Sequence, residues 1–286
     1  MAERPADTAP LEPMEALLVS ALPSEPGWSF EPKWDGFRCL AVKRDGTVRL
    51  FAKSGKVLHR YFPEMVAALA ALQPANFILD GELVIPVGES LSFDALQMRL
   101  HPAESRVRKL AAETPSLLVL FDLIEDTAGT MLIDRPLRVR REALEAFFAA
   151  NPSPSLRLSP VTHELATAQD WLAHAGGALD GVVAKRLDEV YRPGERAMLK
   201  IKNIRTVDCV VGGFRYGTGS KLLGSLLLGL YDAKGRLDHV GFTSALHDVD
   251  KRELTQRLEA LRGDGFTGNA PGGPSRWSTE RTGEYV

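Results

Sequence analysis

Cysteine is scarce in this chain of 286 residues, which has only Cys39 and Cys209. The two lie far apart, each in an apolar run typical of a strand, and without a Cys-x-x-Cys spacing they give neither a disulfide framework nor a zinc site. An excess of charge is also lacking, because 35 lysines and arginines face 37 acidic residues. This balance excludes a histone-like basic coat, but it does not exclude local segregation of charge.

Long apolar runs are absent as well. The longest, at 117–124, contains Asp122 and is far shorter than the ~20 residues that a membrane span needs. The N-terminus is acidic and rich in proline, and it has neither the cationic start nor the apolar stretch of a signal peptide. We therefore expect a cytoplasmic protein that has no membrane partner.

Several nucleotide-binding motifs are missing. The sequence contains no GxxxxGK[ST] phosphate loop, no kinase HRD or DFG set and no Rossmann glycine spacing. Its composition, 44% hydrophobic and 25% charged, is that of an ordinary globular protein. A chain of this length is expected to form two domains.

The pattern up to about residue 205 predicts a mixed α+β domain. Asp45-Gly46 predicts a hairpin turn, and Ser92 is a suitable cap for the helix that follows it. We place a flexible tail at 1–14 and the first domain at 15–205. The predicted strands are Phe37–Val42, Val48–Ala52, Phe77–Ile85, Leu117–Ile124, Val182–Ala184 and Met198–Ile201, and helices are predicted near Pro63–Leu72, Ser92–Leu100, Pro136–Ala150 and Gln169–Ala175.

The remainder, 206–286, predicts a small β-rich domain of the OB type. It contains three short strand patterns and one amphipathic helix with Leu254, Leu258 and Leu261 on its apolar face. Three strands and a helix do not close a barrel, and unpaired strand edges are a liability. We therefore expect this OB-fold domain to be incomplete, truncated at its C-terminus. The predicted elements are Cys209–Phe214, Ser225–Tyr231, His239–Thr243 and the helix Asp248–Leu261.

Four clusters of charge adjoin or interrupt the predicted strands of the first domain. Ordinary explanations exist for most of them: a charged turn, a salt bridge, or an exposed edge strand protected by Lys200 and Lys202. However, acidic residues at the centre of an apolar strand need a partner or a metal, and Lys200 and Lys202 would share one face of a strand. Taken together, such lysines, an arginine and carboxylates suit a polyphosphate with a divalent cation. The clusters are Glu31–Arg38, Asp80–Glu82, Leu179–Lys185 and Met198–Lys202.

These clusters resemble the motifs of covalent nucleotidyltransferases. Lys33–Arg38 fits their KxDGxR signature, and Asp80–Glu82, Phe121–Asp122, Asp180–Lys185 and Lys200–Lys202 follow in the family's order. Over residues 15–286 the chain is similar to ATP-dependent DNA ligases, especially the small bacterial repair and end-joining type. The resemblance implies an α+β fold, with a nucleotidyltransferase (ATP-grasp-like adenylation) domain followed by an OB-fold domain.

The resemblance also implies a role for each matching residue. Lys33 would attack the α-phosphate of ATP, and Mg²⁺ or Mn²⁺ would be held by Glu82 and Asp180. Lys200 and Lys202 would bind phosphate and favour the neutral lysine amine that a nucleophile requires. The other expected nucleotide-binding residues are Glu31 near the adenine, Arg38 at the ribose or the 5′-phosphate of a nick, Glu82 at the ribose, Phe121 stacked on the adenine, Lys53, and Lys185 at phosphate.

Three departures from the family pattern stand out. Asp180 occupies a position that is usually Glu, which shortens its reach by one methylene. Lys53 replaces a more common Arg, so it keeps the charge but cannot make the two parallel hydrogen bonds of a guanidinium group. The basic motif that orients pyrophosphate at the end of the family's OB domain is not found before Val286.

Local charge supports a nucleic-acid partner. Between Asp180 and Leu222, nine lysines and arginines face five acidic residues, as contact with phosphates requires. We expect a bacterial monomer that binds nicked double-stranded DNA, lies with the nucleoid when so bound, and works with repair or end-joining proteins in trans. The alternatives are an RNA ligase, a capping-type nucleotidyltransferase, and a non-catalytic OB-type nucleic-acid-binding protein.

Overall fold

The computed structural model describes residues 8–88, 90–176, 179–203, 206–271 and 285–286. The chain divides into two compact units, Met1–Ile204 and Arg205–Val286. In its described part, no helix is both long enough and apolar enough to span a membrane. Both cysteines are free thiols, as expected; Cys39 is buried and Cys209 is half-buried.

The described part of the first unit contains a four-stranded sheet, a five-stranded sheet and a two-stranded sheet of Pro86–Val87 and Ser90–Leu91. The elements that build it are β1 (Ala16–Leu18), β2 (Trp28–Trp34), β3 (Phe37–Arg44), β4 (Thr47–Ala52), α1 (Pro63–Ala70), β5 (Phe77–Val84), β6 (Pro86–Val87), β7 (Ser90–Leu91), α2 (Phe93–Arg99), α3 (Glu104–Glu113), β8 (Leu117–Glu125), α4 (Leu137–Ala150), β9 (Leu156–Leu158), α5 (Leu165–Ala173), β10 (Leu179–Arg186) and β11 (Met198–Lys202).

The five-stranded sheet has the order β4-β3-β5-β8-β9. It is buried on both faces, which explains why its strands are almost continuously apolar. One face packs against helices through residues such as Met65, Leu96 and Phe147. The opposite face, with Leu40 and Ile78, packs against residues of the second sheet.

The four-stranded sheet has the order β1-β11-β10-β2. Alternation of side chains along these strands separates an apolar face from a charged one. Phe30, Val182 and Ile201 lie on the apolar face, which packs against α5. The register pairs Val183 with both Glu31 and Lys200, so these side chains share the opposite face, towards the five-stranded sheet.

Local signals account for several of these elements. The Asp45-Gly46 turn has the positive φ angles of 47° and 77° that a tight hairpin needs, and it joins β3 to β4 as predicted. The Ser92 hydroxyl accepts a hydrogen bond from the Ala95 N–H at 3.2 Å, which confirms the predicted cap of α2.

Other expectations were wrong. Strand β11 is not an exposed edge, because it pairs with β10 on one side and with β1 on the other. Leu100 lies just beyond α2 and is exposed rather than packed. Met14 is buried and its backbone N–H is hydrogen-bonded, so this last residue of the predicted flexible tail belongs to the folded unit. Residues 1–7 lie outside the described residues.

In its described residues, the second unit contains one helix and a three-stranded antiparallel sheet, whose strands follow one another in the order of the chain. Its small core is formed by Leu227, Leu237 and Phe266, with Tyr285 packed against it. The helix differs from the prediction, because Leu261 is 71% exposed and lies beyond its end. The bounds are β12 (Val210–Tyr216), β13 (Leu223–Tyr231), β14 (Leu237–Thr243) and α6 (Asp248–Ala260).

The chain end contributes to this sheet. Phe214 and Val286 exchange two backbone hydrogen bonds of 2.9 Å, so the outer edge of β12 is paired at that point. The stretch 272–284, on which the expectation of an incomplete barrel partly depends, lies outside the described residues.

Candidate active site

A cavity of about 190 Å³ lies between the two sheets of the first unit. The four-stranded sheet contributes residues of β1, β2, β10 and β11, and the five-stranded sheet contributes residues of β3, β5 and β8. Eight of the residues expected at the site line this cavity: Glu31, Lys33, Arg38, Lys53, Glu82, Phe121, Lys185 and Lys200. Of the remaining two, Asp180 forms an ion pair with Lys33, and Lys202 forms an ion pair with the same carboxylate of Asp180.

Lys33 lies near the end of β2 with its side chain 24% exposed. Its Nζ atom is 2.7 Å from Asp180 Oδ2, and Lys202 Nζ is also 2.7 Å from that oxygen. Burial raises the pKa of Asp180, but hydrogen bonds from Lys202 and Lys33 outweigh it and leave the pKa below its usual range. One oxygen of Asp180 therefore accepts from both lysines, which places Lys33 and Lys202 on the same carboxylate.

The Asp-Gly pair at 180–181 has a structural cause. Gly181 has a φ of 146°, and a Cβ at this position would clash with the backbone carbonyl of Ile201 in the neighbouring β11. Only glycine tolerates both conditions. The pairing of β10 with β2 is irregular between Leu179 and Gly181, and this irregularity sets Asp180 beside Lys33.

Glu31 and Lys185 form a second ion pair, and both side chains are about 95% buried. The distance from Lys185 Nζ to Glu31 Oε1 is 2.7 Å. Lys185 also points towards Phe121, whose ring centroid lies 4.8 Å from its Nζ. A buried pair of this kind is costly to break, because the remaining charge would be left without a partner.

Phe121 lies in β8 and lines the cavity instead of being fully buried in the core. The guanidinium carbon of Arg38 lies 4.6 Å from the ring centroid, so two cations, Arg38 and Lys185, contact this ring. The aromatic ring therefore lies at the cavity, where a planar base could contact it.

Arg38 is fixed by a buried carboxylate. Its Nε and Nη2 atoms donate to the two oxygens of Asp80 at 2.6 and 2.7 Å, and Asp80 is fully buried. The acidic residue at the centre of the apolar strand β5 is therefore satisfied by a salt bridge. This bidentate geometry gives Arg38 a single orientation at the cavity wall.

A looser cluster of charge lies at another part of the wall. Lys53 Nζ is 2.9 Å from Glu15 Oε1, and Arg196 Nε is 3.8 Å from the other oxygen of the same carboxylate. Burial first, and then neighbouring lysines beginning with Lys33, lower the pKa of Lys200. This wall carries more positive than negative charge, which suits an anionic ligand.

Glu82 is an acidic residue of the cavity whose surroundings disfavour the ionised form. Burial raises its pKa from the usual 4.5 to about 7, against the opposing effects of Arg38 and Lys33. A carboxyl group in this condition can donate or accept a hydrogen bond near neutral pH.

The donor set for a metal is small. Within the described part of the chain, no three His, Cys, Asp or Glu side chains are grouped closely enough to hold a metal ion. Mg²⁺ is nevertheless often bound by one or two carboxylates together with substrate phosphates, and Glu82 and Asp180 fit that chemistry. A metal at Asp180 would have to replace at least one of the lysines now paired with it.

Sequence reasoning missed Met14, Glu15 and Tyr191, which shape the cavity, and it named Asp80 only as a member of a charged cluster. Asp80 had a signal, since an aspartate between two apolar triplets indicates a buried ion pair, but its partner could not be named. Tyr191 had none, because its hydroxyl reaches Asp80, which is 111 residues away in the sequence.

Comparisons with known proteins identify the family to which this sequence is similar. A family model described as the ATP-dependent DNA ligase domain matches residues 14–202. DNA ligase C2 of Mycolicibacterium smegmatis is 44% identical over 261 residues, which are 89% of this chain and 72% of that protein. DNA ligase C of Mycobacterium tuberculosis is 43% identical over 261 residues, 88% of this chain and 71% of that protein.

Solved structures are similar as well. A mycobacterial DNA ligase D complexed with ATP and MES has a TM-score of 0.56 and 27% identity, covering 96% of this chain and 85% of that one. The ligase domain of LigD from Mycobacterium tuberculosis has a TM-score of 0.51 and 29% identity, covering 96% and 86%.

Proposed function

Since this chain belongs to the ATP-dependent DNA ligase family, we propose that it seals nicks between a 5′-phosphate and a 3′-hydroxyl in double-stranded DNA. The observation that carries this proposal is the position of Lys33. Its amine lies at a cavity lined by Lys200, Lys185 and Arg38, which is the environment that a triphosphate substrate needs. The expected family and its mixed fold are confirmed, and the residue roles are our proposal.

In the first step, the neutral amine of Lys33 attacks the α-phosphorus of ATP. An N–P bond forms, the bond to the bridging oxygen of the β-phosphate breaks, pyrophosphate leaves, and Nζ loses a proton. Release of Lys33 from Asp180 is required before this step, because a protonated amine has no free electron pair. Lys200 and Lys202 neutralise the developing phosphate charge.

The later steps transfer and release AMP. An oxygen of the DNA 5′-phosphate attacks the phosphorus on Lys33, the N–P bond breaks, and Lys33 regains a proton. The DNA 3′-hydroxyl then attacks the activated 5′-phosphorus, loses its proton and expels AMP. All three displacements are in line, so positioning and charge neutralisation are the main contributions of the protein.

The remaining residues bind the nucleotide. Phe121 stacks on the adenine, with Glu31 nearby, and Glu82 contacts the ribose. Arg38 contacts the ribose or the 5′-phosphate of the nick, and Lys53 and Lys185 contact phosphate or nucleic acid. Glu82 and Asp180 would hold Mg²⁺ or Mn²⁺ together with the phosphates, and the metal would supply further charge neutralisation.

We place the adenylation domain at 15–205 and the OB-fold domain at 206–286. The cellular setting is bacterial DNA repair, with the protein on the nucleoid when bound to DNA and with end-joining or other repair proteins in trans. Support comes from a relative named multifunctional non-homologous end joining DNA repair protein LigD, which is 30% identical over 238 residues, 82% of this chain and 29% of that protein.

Nick sealing tests the proposal directly. With ATP and Mg²⁺, we expect the chain to seal a nicked DNA duplex, Lys33→Ala to lose sealing, and Lys109→Ala, on the exposed surface of α3, to seal as the wild type does. Sealing by Lys33→Ala at the wild-type rate would contradict the mechanism. A preference for GTP or for RNA nicks would instead favour a capping enzyme or an RNA ligase.

A further inference from the structure

Tyr191 lies between β10 and β11, close to the cavity but not on its wall. The residue is 3% exposed, and its backbone N–H donates to the carbonyl of Ile133 at 2.9 Å. The guanidinium of Arg140 lies 5.6 Å from the ring centroid. The phenol is therefore held in one place by its backbone and its packing.

The hydroxyl of Tyr191 makes two buried hydrogen bonds. It donates to Asp80 Oδ2 at 2.7 Å and accepts from the Met14 N–H at 2.9 Å. Asp80 thus receives three donors, two from Arg38 and one from Tyr191. Burial of a carboxylate with no exposed surface would be costly without such hydrogen-bond partners.

These contacts close a ring of hydrogen bonds. Arg38 Nη2 donates to the carbonyl of Met14 at 3.2 Å, so Met14 is held through its N–H by Tyr191 and through its carbonyl by Arg38. Arg38 and Asp80 belong to the five-stranded sheet, whereas Met14 leads into β1 of the four-stranded sheet. The ring therefore links the two sheets at the cavity, and Glu15, next to Met14, lies on the wall.

We propose that Tyr191 is a positioning residue, which acts through Asp80 to orient Arg38 and holds the Met14–Glu15 segment in the cavity wall. The proposal rests on the ligase function proposed above. Tyr191 is not a catalytic residue, since Asp80 and Arg38 lie between its hydroxyl and the cavity. Its loss would allow Arg38 to adopt other rotamers and would leave the Met14 N–H without its partner.

Single-turnover kinetics with Tyr191→Phe test this role. The substitution keeps the ring and removes only the hydroxyl, and we expect the step that depends most on Arg38 to slow about tenfold, as for the loss of a hydrogen bond to a charged group. The control is Ile78→Val, in the same buried cluster, which lowers stability without touching the ring of hydrogen bonds and should leave the rate unchanged.

A double-mutant cycle separates positioning from general structure. In an Arg38→Lys background, Tyr191→Phe should slow the reaction little further, because Arg38, the residue that Tyr191 orients, is already replaced. In a Lys200→Met background, where the altered residue is also on the wall but belongs to β11 and not to the ring, the full tenfold loss should remain. No slowing by Tyr191→Phe, or an equal factor in all backgrounds, would overturn the proposal.

A measurement without catalysis distinguishes failure of this proposal from failure of the ligase function. Hydrogen exchange of the Arg38 Nε–H, followed by NMR, should be faster in Tyr191→Phe than in the wild type. Exchange of the Arg99 Nε–H, which donates to the Tyr61 carbonyl elsewhere in the unit, should not change. An unchanged exchange rate at Arg38 would overturn the proposal whatever the kinetics show. A chain that shows the faster exchange but does not seal nicks would refute only the ligase function.

Discussion

Glu82 is the cavity residue whose charge changes nearest to neutral pH. Its pKa rises from 4.5 to about 7 on folding because it is buried. Between those two values the folded chain keeps a proton that the unfolded chain has lost, so the free energy of unfolding falls as the pH rises. The contribution of this carboxyl is therefore most favourable below pH 4.5 and least favourable above pH 7.

We predict that Glu82→Gln removes this loss. From pH 5 to pH 8 the free energy of unfolding of the wild type should fall by at most about 3 kcal/mol more than that of the variant, because one pKa unit corresponds to about 1.4 kcal/mol. The midpoint of urea denaturation across this range measures the effect. Glu113→Gln, an exposed substitution on α3, is the control, and identical pH profiles for wild type and Glu82→Gln would contradict the prediction.

Asp180 links Lys33 to a second lysine of the site, Lys202. The carboxylate accepts from Lys33 and Lys202 at the same oxygen, and the reaction we propose requires Lys33 to exchange this partner for phosphate. The sequence identified all three residues through the family motifs, but their mutual pairing depends on the register of β10 with β2 and β11.

Among the elements, the irregular strand β10 does most to build the site. Gly181 combines a φ of 146° with close approach to the backbone of β11. We predict that Gly181→Ala lowers the free energy of unfolding by about 1–3 kcal/mol from backbone strain, and by more once the clash with Ile201 is included. It should also disturb the Lys33–Asp180 pair and slow sealing.

Gly241 in β14 is the matched control, since a Cβ there meets nothing within 4 Å and its φ is not positive. Gly241→Ala should change stability by no more than about 0.5 kcal/mol. Thermal unfolding of both variants measures the difference. Equal melting temperatures for Gly181→Ala and the wild type would contradict this account of the strand.

Local sequence signals predicted several secondary-structure elements correctly, whereas the pairing of strands that lie far apart in the sequence could not be predicted. The Asp45-Gly46 hairpin and the Ser92 cap follow from the chemistry of a few neighbouring residues, and both are present. The parallel pairing of β1 with β11 joins residues about 180 positions apart, so the sequence could not reveal that β11 is internal. Helix α3 was not predicted from the sequence. It is largely polar, with only Val107 and Ala111 buried, so its apolar pattern is too weak to indicate a helix.

For the whole molecule, all residues that line the cavity lie between Met14 and Lys200, within the first unit. The candidate site is therefore built by the segment that matches the family model. The motifs predicted which residues would gather there, because the family's order is preserved. Burial and ion pairing could not be predicted, since they depend on the packing of two sheets.

The central claim is that Lys33 becomes covalently linked to AMP. Intact-mass measurement after incubation with ATP and Mg²⁺ tests it most directly, with Lys33→Ala and Lys109→Ala measured in parallel. We predict an AMP-sized mass gain in the wild type and in Lys109→Ala, and none in Lys33→Ala. No gain in the wild type, or the same gain in Lys33→Ala, would contradict the claim.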